Sequence, residues 1–170
     1  QFNPAVTVAL WLVGKVRTRA GARIIVAQLA GAVAAGFALK LAFGGFDGGD
    51  TAYSIGAGGA PMVADGISTA TAIGIEAVLT ALLAYAVLLT AVDGRAPKMG
   101  GLFIGFAVSA DILVGGPLTG AAMNPARWFG PAIAFGDLSA ALVYVVGPLL
   151  GAAVARSEET RLNSSHITIS

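Results

Sequence analysis

Two Asn-Pro-Ala tripeptides, Asn3-Pro4-Ala5 and Asn124-Pro125-Ala126, each head an apolar stretch of about ten residues, roughly Pro4 to Gly14 and Pro125 to Gly136. Asn is a good N-cap, and Pro fits the first helical position, where its missing N–H is not needed. Each tripeptide therefore reads as a helix start. At about 1.5 Å rise per residue, such a helix covers about half of a bilayer core about 30 Å thick. The open N–H groups of a helix that begins within an apolar region must face protein or a water-filled cavity. Few folds accept one such element, and fewer accept two.

The rest of the chain supplies a membrane setting. Of 170 residues, 56% are hydrophobic and only 11% are charged, too few charges to cover a soluble domain of this size. Four apolar runs approach a bilayer crossing: roughly Arg23 to Phe43, Ile67 to Val92 (interrupted by Glu76), Met99 to Val114, and Leu138 to Ala155. There is no cysteine, which excludes disulfides, thiolate catalysis and cysteine-held zinc. The single histidine, His166, leaves no His cluster for metal binding or general-base work. No cofactor and no nucleic-acid partner are expected, and the absence of a nucleophile–base pair argues against an enzyme.

The two halves look related. Ala27-x-x-x-Gly31 in the first run matches Gly147-x-x-x-Gly151 in the fourth at an offset of 120, one short of the 121 that separates Asn3 from Asn124. Three crossings between the two Asn residues invert the second copy relative to the first, and inverted repeats with broken helices mark transport proteins with a central site. Lys15, Arg17, Arg19 and Arg23 precede the first run, and Arg95 and Lys98 precede the third. The Gly44–Gly66 loop holds Asp47, Asp50 and Asp65 with no Lys or Arg. The positive-inside rule places the basic segments in the cytoplasm and the Asp loop outside. Lys40 lies near the outer end of its run, where it can snorkel. Gly101 and Gly105, like Gly147 and Gly151, read as small-residue faces for close helix approach.

Residues 1–155 read as one channel-like domain. The tail, 156–170, turns abruptly polar; it resembles the translation of a sequencing-adapter read-through and is expected to be non-native or disordered. The chain opens inside a motif without an initiator Met and reads as a fragment.

The paired tripeptides, the second extended to Gly120-Ala121-Ala122-Met123-Asn124-Pro125-Ala126-Arg127, resemble those of the aquaporin, or major intrinsic protein, family. The resemblance runs from Gln1 to about Ala155. It implies an all-α membrane protein: a right-handed bundle of six tilted crossings, four of them in this chain, with two re-entrant half-helices meeting head to head. It also implies a homotetramer in the lipid bilayer that passes water, or alternatively small neutral solutes such as glycerol, ammonia or urea. The plant vacuolar-membrane branch and some bacterial members are similar at the filter, and a bacterial inner membrane is the expected location.

By the same resemblance Arg127 is the arginine of the narrow selectivity filter, with Ile112 and Ala121 as further filter positions. Helix packing remains open for Ile112, and tight loop packing for Ala121. The carbonyls of Gly120, Ala121 and Ala122 are expected to face the pore, and Glu76 to accept backbone N–H bonds from the second re-entrant loop. A proton-relay acid is the competing reading of Glu76. Gln28 would brace the first loop or simply bond between helices. Asp111 reads as a satisfied structural acid more readily than as a pore-access group. Glycerol-conducting relatives carry Asp after the filter arginine and a basic residue four further on. Here Trp128 and Ala132 stand at those two positions; Ala132 and the aromatic Tyr144 resemble the water-selective pattern, whereas Trp128 matches neither and Val145 replaces the usual Trp of water channels. A coupled transporter with inverted repeats is the competing class, but beyond two Asn caps and Glu76 the midplane offers little to hold an ion.

Overall fold

The computed structural model describes residues 1–44, 59–92 and 98–167, with side chains described for 1–42, 59–91 and 98–157. Asp47, Asp50 and Arg95 lie outside the described residues. Among those described, all regular structure is helical: α1 (Pro4–Leu12), α2 (Thr18–Gly44), α3 (Thr69–Val87), a π-helical turn Leu88–Val92 continuing it, α4 (Gly100–Thr119), α5 (Pro125–Phe135) and α6 (Ala141–Ile167).

The half-helices form where the sequence chemistry puts them. Asn3 and Asn124 sit in extended backbone, Pro occupies the first helical turn, and each Asn Oδ1 accepts an N–H two residues on, from Ala5 at 2.8 Å and from Ala126 at 3.0 Å. Three long helices have the length and apolarity to cross a bilayer: Thr18–Ala42, Thr69–Ala91 and Gly100–Thr119. The fourth expected crossing is shorter in its apolar part, Ala141–Ser157, at the low end of what spans. α4 runs past the expected end at Val114, through Gly115, Gly116 and Pro117. A proline this close to a helix C-terminus removes one backbone hydrogen bond, which the apolar packing of α4 outweighs. Arg19 and Arg23 fall within α2 instead of before it. α6 continues as helix to Ile167 where disorder is expected; Glu158, Glu159 and Arg161 are good helix formers, and neither Gly nor Pro interrupts the run.

Packing is closest in two places, and α1, which also rests on α2, joins them. α3 lies along α6, and α1 nests against both, burying Ala5, Ala9 and Leu10 with Leu79, Leu83, Ala152 and Ala155. α5 lies along α2. Both long contacts are backbone-close. A Cβ on Gly151 would stand 2.3 Å from the Ala77 carbonyl, and one on Gly130 would stand 2.1 Å from the Ala32 carbonyl. The Gly147–Gly151 face thus packs as expected. The other faces do not: among the described residues, nothing lies within 4 Å of a Cβ built on Gly31, Gly101 or Gly105. In α2 the close approach is made by Ala32 and Gly36, a turn further on, because that is the face α5 meets.

Candidate functional site

The N-termini of α1 and α5 face each other, and their caps are cross-linked reciprocally. Asn3 Nδ2 donates to the Met123 carbonyl at 2.8 Å, and Asn124 Nδ2 donates to the Phe2 carbonyl at 3.1 Å. Each Asn therefore closes its own helix with Oδ1 and bonds the residue before the opposite Asn with Nδ2. An amide nitrogen carries two hydrogens. One from each side chain is committed, and no partner for the other exists among the described residues.

A cavity of about 780 Å³ passes this point. Ile104, Val108 and Ile112 of α4, Leu83, Val87 and Ala91 of the α3 segment, and Val6 and Leu10 of α1 line it. Each set recurs at a spacing of four, one helical face, so the wall is built of apolar stripes. Its polar atoms come from elsewhere: Gln1, Asn3, Lys15, Asn124, Arg127 and the loop that includes Ala121 and Ala122. All three expected filter residues line this one cavity, and Arg127 and Ile112 are exposed within it. A second cavity of about 690 Å³ shares Asn124 and Arg127 and runs along Ile24, Ala27, Gln28 and Gly31 of α2.

The loop between α4 and α5 is bent by left-handed backbone at Gly120 (φ 72°), Ala121 (φ 43°) and Met123 (φ 51°). For residues other than Gly this costs about 1–3 kcal/mol each unless the surroundings hold it. The holding group is Glu76, wholly buried on α3. Its Oε1 accepts the Thr119 hydroxyl at 2.7 Å and the Ala122 N–H at 2.9 Å, and its Oε2 accepts the Met123 N–H at 2.7 Å. With the N–H groups turned to Glu76, the carbonyls of Gly120, Ala121 and Ala122 have no protein partner among the described residues.

Gln28 reaches the start of the chain, where its Nε2 donates to the Gln1 carbonyl at 3.1 Å and to Thr7 Oγ1 at 2.9 Å. Its Oε1 is buried without a partner among the described residues. Asp111 is buried, 3% exposed, on the α4 stripe it shares with Gly115 and Thr119. That stripe adjoins the one that lines the cavity. Its Oδ2 has no hydrogen-bond partner among the described residues, so the acid is structural in place but not satisfied as expected. Trp128 and Ala132 are buried, 4% and 1% exposed, and do not line the main cavity.

A sequence model described as major intrinsic protein matches residues 1–157. The chain belongs to the major intrinsic protein family. Its relatives include aquaporin TIP2-1 of Arabidopsis thaliana, 40% identical over 156 residues, and aquaporin TIP1-2 of Musa acuminata, 42% identical over 156 residues. Each match covers 90% of this chain and 58% of the relative. Aquaporin NIP1-2 of Oryza sativa subsp. japonica is 38% identical over 151 residues, 88% of this chain and 48% of that protein. The chain thus spans about half the length of these curated relatives. Among solved structures, the aquaglyceroporin of Plasmodium falciparum superposes with a TM-score of 0.82 at 23% identity, over 100% of this chain and 75% of that one, which establishes the fold. As a major intrinsic protein the chain is an integral membrane protein.

Three residues of this family member carry site geometry that sequence reading passes over. Thr7 and Thr119 are wholly buried hydroxyls at the two loops, and Lys40 Nζ donates to the Ala134 carbonyl at 3.3 Å. Lys40 thereby supplies a cation and a donor at the C-terminus of α5, where orphan carbonyls gather. The available signal for the threonines is a polar side chain inside an otherwise apolar helix. The site also makes a sharp chemical forecast. Ala121 lines the cavity and there is no Cys in the chain, so mercurials should leave flow through a protein lacking Cys unchanged. Ala121→Cys should make it blockable, with thiol reversal, in a swelling assay.

Proposed function

We propose that the full-length protein carrying this chain is a passive water channel that excludes ions and protons. The observation that carries this reading is the pair of opposed half-helix N-termini tied by Asn3 and Asn124. Each helix end contributes about half a positive charge, and together they oppose any cation at the centre of the cavity. The free amide hydrogen of each Asn can donate to a water oxygen. A water that accepts from both has its own hydrogens turned away along the file, so it cannot pass a proton from one neighbour to the next. The apolar stripes offer no competing partners, and the Gly120–Ala122 carbonyls offer acceptors along one side.

In this reading Asn3, Pro4, Ala5, Asn124, Pro125 and Ala126 form the central constriction. Arg127, Ile112 and Ala121 form the filter, and Glu76 and Gln28 brace the loops. The channel unit is residues 1–155, with 156–170 outside it; the family match ends at 157. The assembly is a homotetramer, and the protein is a channel and not a catalyst. A bacterial inner membrane draws no support from relatives that are plant proteins, so the location proposed is an integral place in a membrane and nothing narrower.

A second reading, conduction of small neutral solutes, is favoured by one observation: the residues facing Arg127's cavity at the filter, Ile112 and Ala121, are apolar. Proteoliposomes containing the full-length protein separate these outcomes. Shrinking or swelling under an osmotic step should be much faster than in empty liposomes, with no added leak of an entrapped pH dye. Rates equal to empty liposomes would remove the water reading. Rapid glycerol or ammonia entry would establish the second.

A further inference from the structure

The loop that supplies the Gly120–Ala122 carbonyls leaves α4 at Thr119, and two hydrogen bonds meet at that residue. Tyr144, wholly buried on α6, donates its hydroxyl to the Thr119 carbonyl at 2.8 Å. The Thr119 hydroxyl donates to Glu76 Oε1 at 2.7 Å. The Tyr144 ring is itself held by a stack on Trp128, with centroids 5.9 Å apart and planes inclined at 25°. The last carbonyls of a helix have no partner within it. In α4, Leu118's carbonyl takes the Ala64 N–H at 2.9 Å and Thr119's takes the tyrosine. One residue therefore joins α3 and α6 to the root of a turn whose next residues, Ala121 and Met123 included, adopt left-handed backbone. Non-glycine residues hold that conformation only when their surroundings over-determine it. Neither Thr119 nor Tyr144 lines the main cavity.

We infer that Thr119 and Tyr144 are positioning residues for the conducting loop: they act through Glu76 and the Gly120–Ala122 carbonyls without touching the permeant. The inference rests on the channel reading above. Trp128 has its place in the same device, as the surface that keeps the Tyr144 hydroxyl aimed at α4. The departure from the family pattern at Trp128 then bears on the filter from behind, through the loop.

The test uses the full-length protein in proteoliposomes, with water permeability expressed per inserted copy. Thr119→Val removes the hydroxyl and keeps the β-branched shape, and Thr119→Ser keeps the hydroxyl. Tyr144→Phe removes the hydroxyl and keeps the stack. Thr119→Val and Tyr144→Phe should each lower permeability by about threefold to tenfold, the change in population that one hydrogen bond governs. Thr119→Ser should remain within about twofold of wild type. In a Glu76→Gln background, Thr119→Val should add less than about twofold, because the two residues share one contact; independent packing effects would multiply in full. A wild-type rate in either single variant removes that residue from the role. Equal impairment of Thr119→Ser and Thr119→Val, or full multiplication with Glu76→Gln, overturns the hydroxyl argument. If Thr119→Val fails to insert, Tyr144→Phe decides alone. A wild-type protein that passes no water defeats the channel reading, and this inference with it.

Discussion

Arg127→Val should leave water flow intact and open the pore to cations. Arg127 lines the main cavity together with Ile112 and Ala121. A unit charge about 6 Å from a passing cation opposes it by about 3 kcal/mol at an effective dielectric of about 20. Removing it should raise cation or proton conductance by about a hundredfold, while the two helix ends at Asn3 and Asn124 still supply part of the barrier. Water, being neutral, loses nothing to that field and gains width. Ile112→His should act in the opposite sense, narrowing and polarising the same cross-section, and should cut ammonia or glycerol flux more than water flux. Conductance across planar bilayers, with stopped-flow permeabilities for the three neutral species, separates charge from size. If Ile112→His leaves every ratio untouched, Ile112 does not set the width.

Glu76→Gln should lower water permeability by more than about tenfold. The carboxylate presents acceptors to three donors, Thr119 Oγ1 and the N–H groups of Ala122 and Met123. A glutamine that keeps its oxygen on the Met123 N–H sets an NH2 group against the Ala122 N–H, donor against donor, and takes away the acceptor of the Thr119 hydroxyl. Hydrogen bonds to a charged group are worth about 1.5–3 kcal/mol against about 1 for neutral ones. The loop therefore loses about 2–3 kcal/mol of support while still held in left-handed turns, enough to empty the conducting arrangement by more than about tenfold. The volume of the side chain is unchanged, so insertion should be normal. Equal rates at equal membrane abundance would sink the bracing role.

How much of this could be read before the structure depended on the range of the chemistry. The starts of α1 and α5 were legible because capping is local: Asn3 and Asn124 bond N–H groups two residues away. Glu76 was legible because an acid in an apolar helix demands a partner. The end of α4 was not legible, since Gly115-Gly116-Pro117 carries every sign of a helix stop and only tertiary packing carries the helix to Thr119. Small-residue spacing misled at Gly31, Gly101 and Gly105, because such spacing recurs on several faces and only a neighbouring helix selects one. The bonds of Lys40 to Ala134 and of Tyr144 to Thr119 join residues far apart in sequence, and nothing local announces them. Asp111 reads from sequence as a satisfied acid, and its Oδ2, unpartnered among the described residues, was hidden for the same reason.

The reciprocal amides of Asn3 and Asn124 have a mechanical consequence. Helices in a bilayer tilt and shift to suit its thickness, and in a plain bundle any passage between them would change bore with every adjustment. Here the ends of α1 and α5 are stitched to each other and not merely to their own walls. The two short helices rest chiefly on different partners, α1 on α6 and α5 on α2, although α1 also meets α2 and α3 and α5 also meets α6. Yet neither tip can withdraw without breaking a bond that the other tip also needs. The spacing of the two tips is thereby set by the paired amides themselves, and a tilt of the longer helices is not passed to it directly.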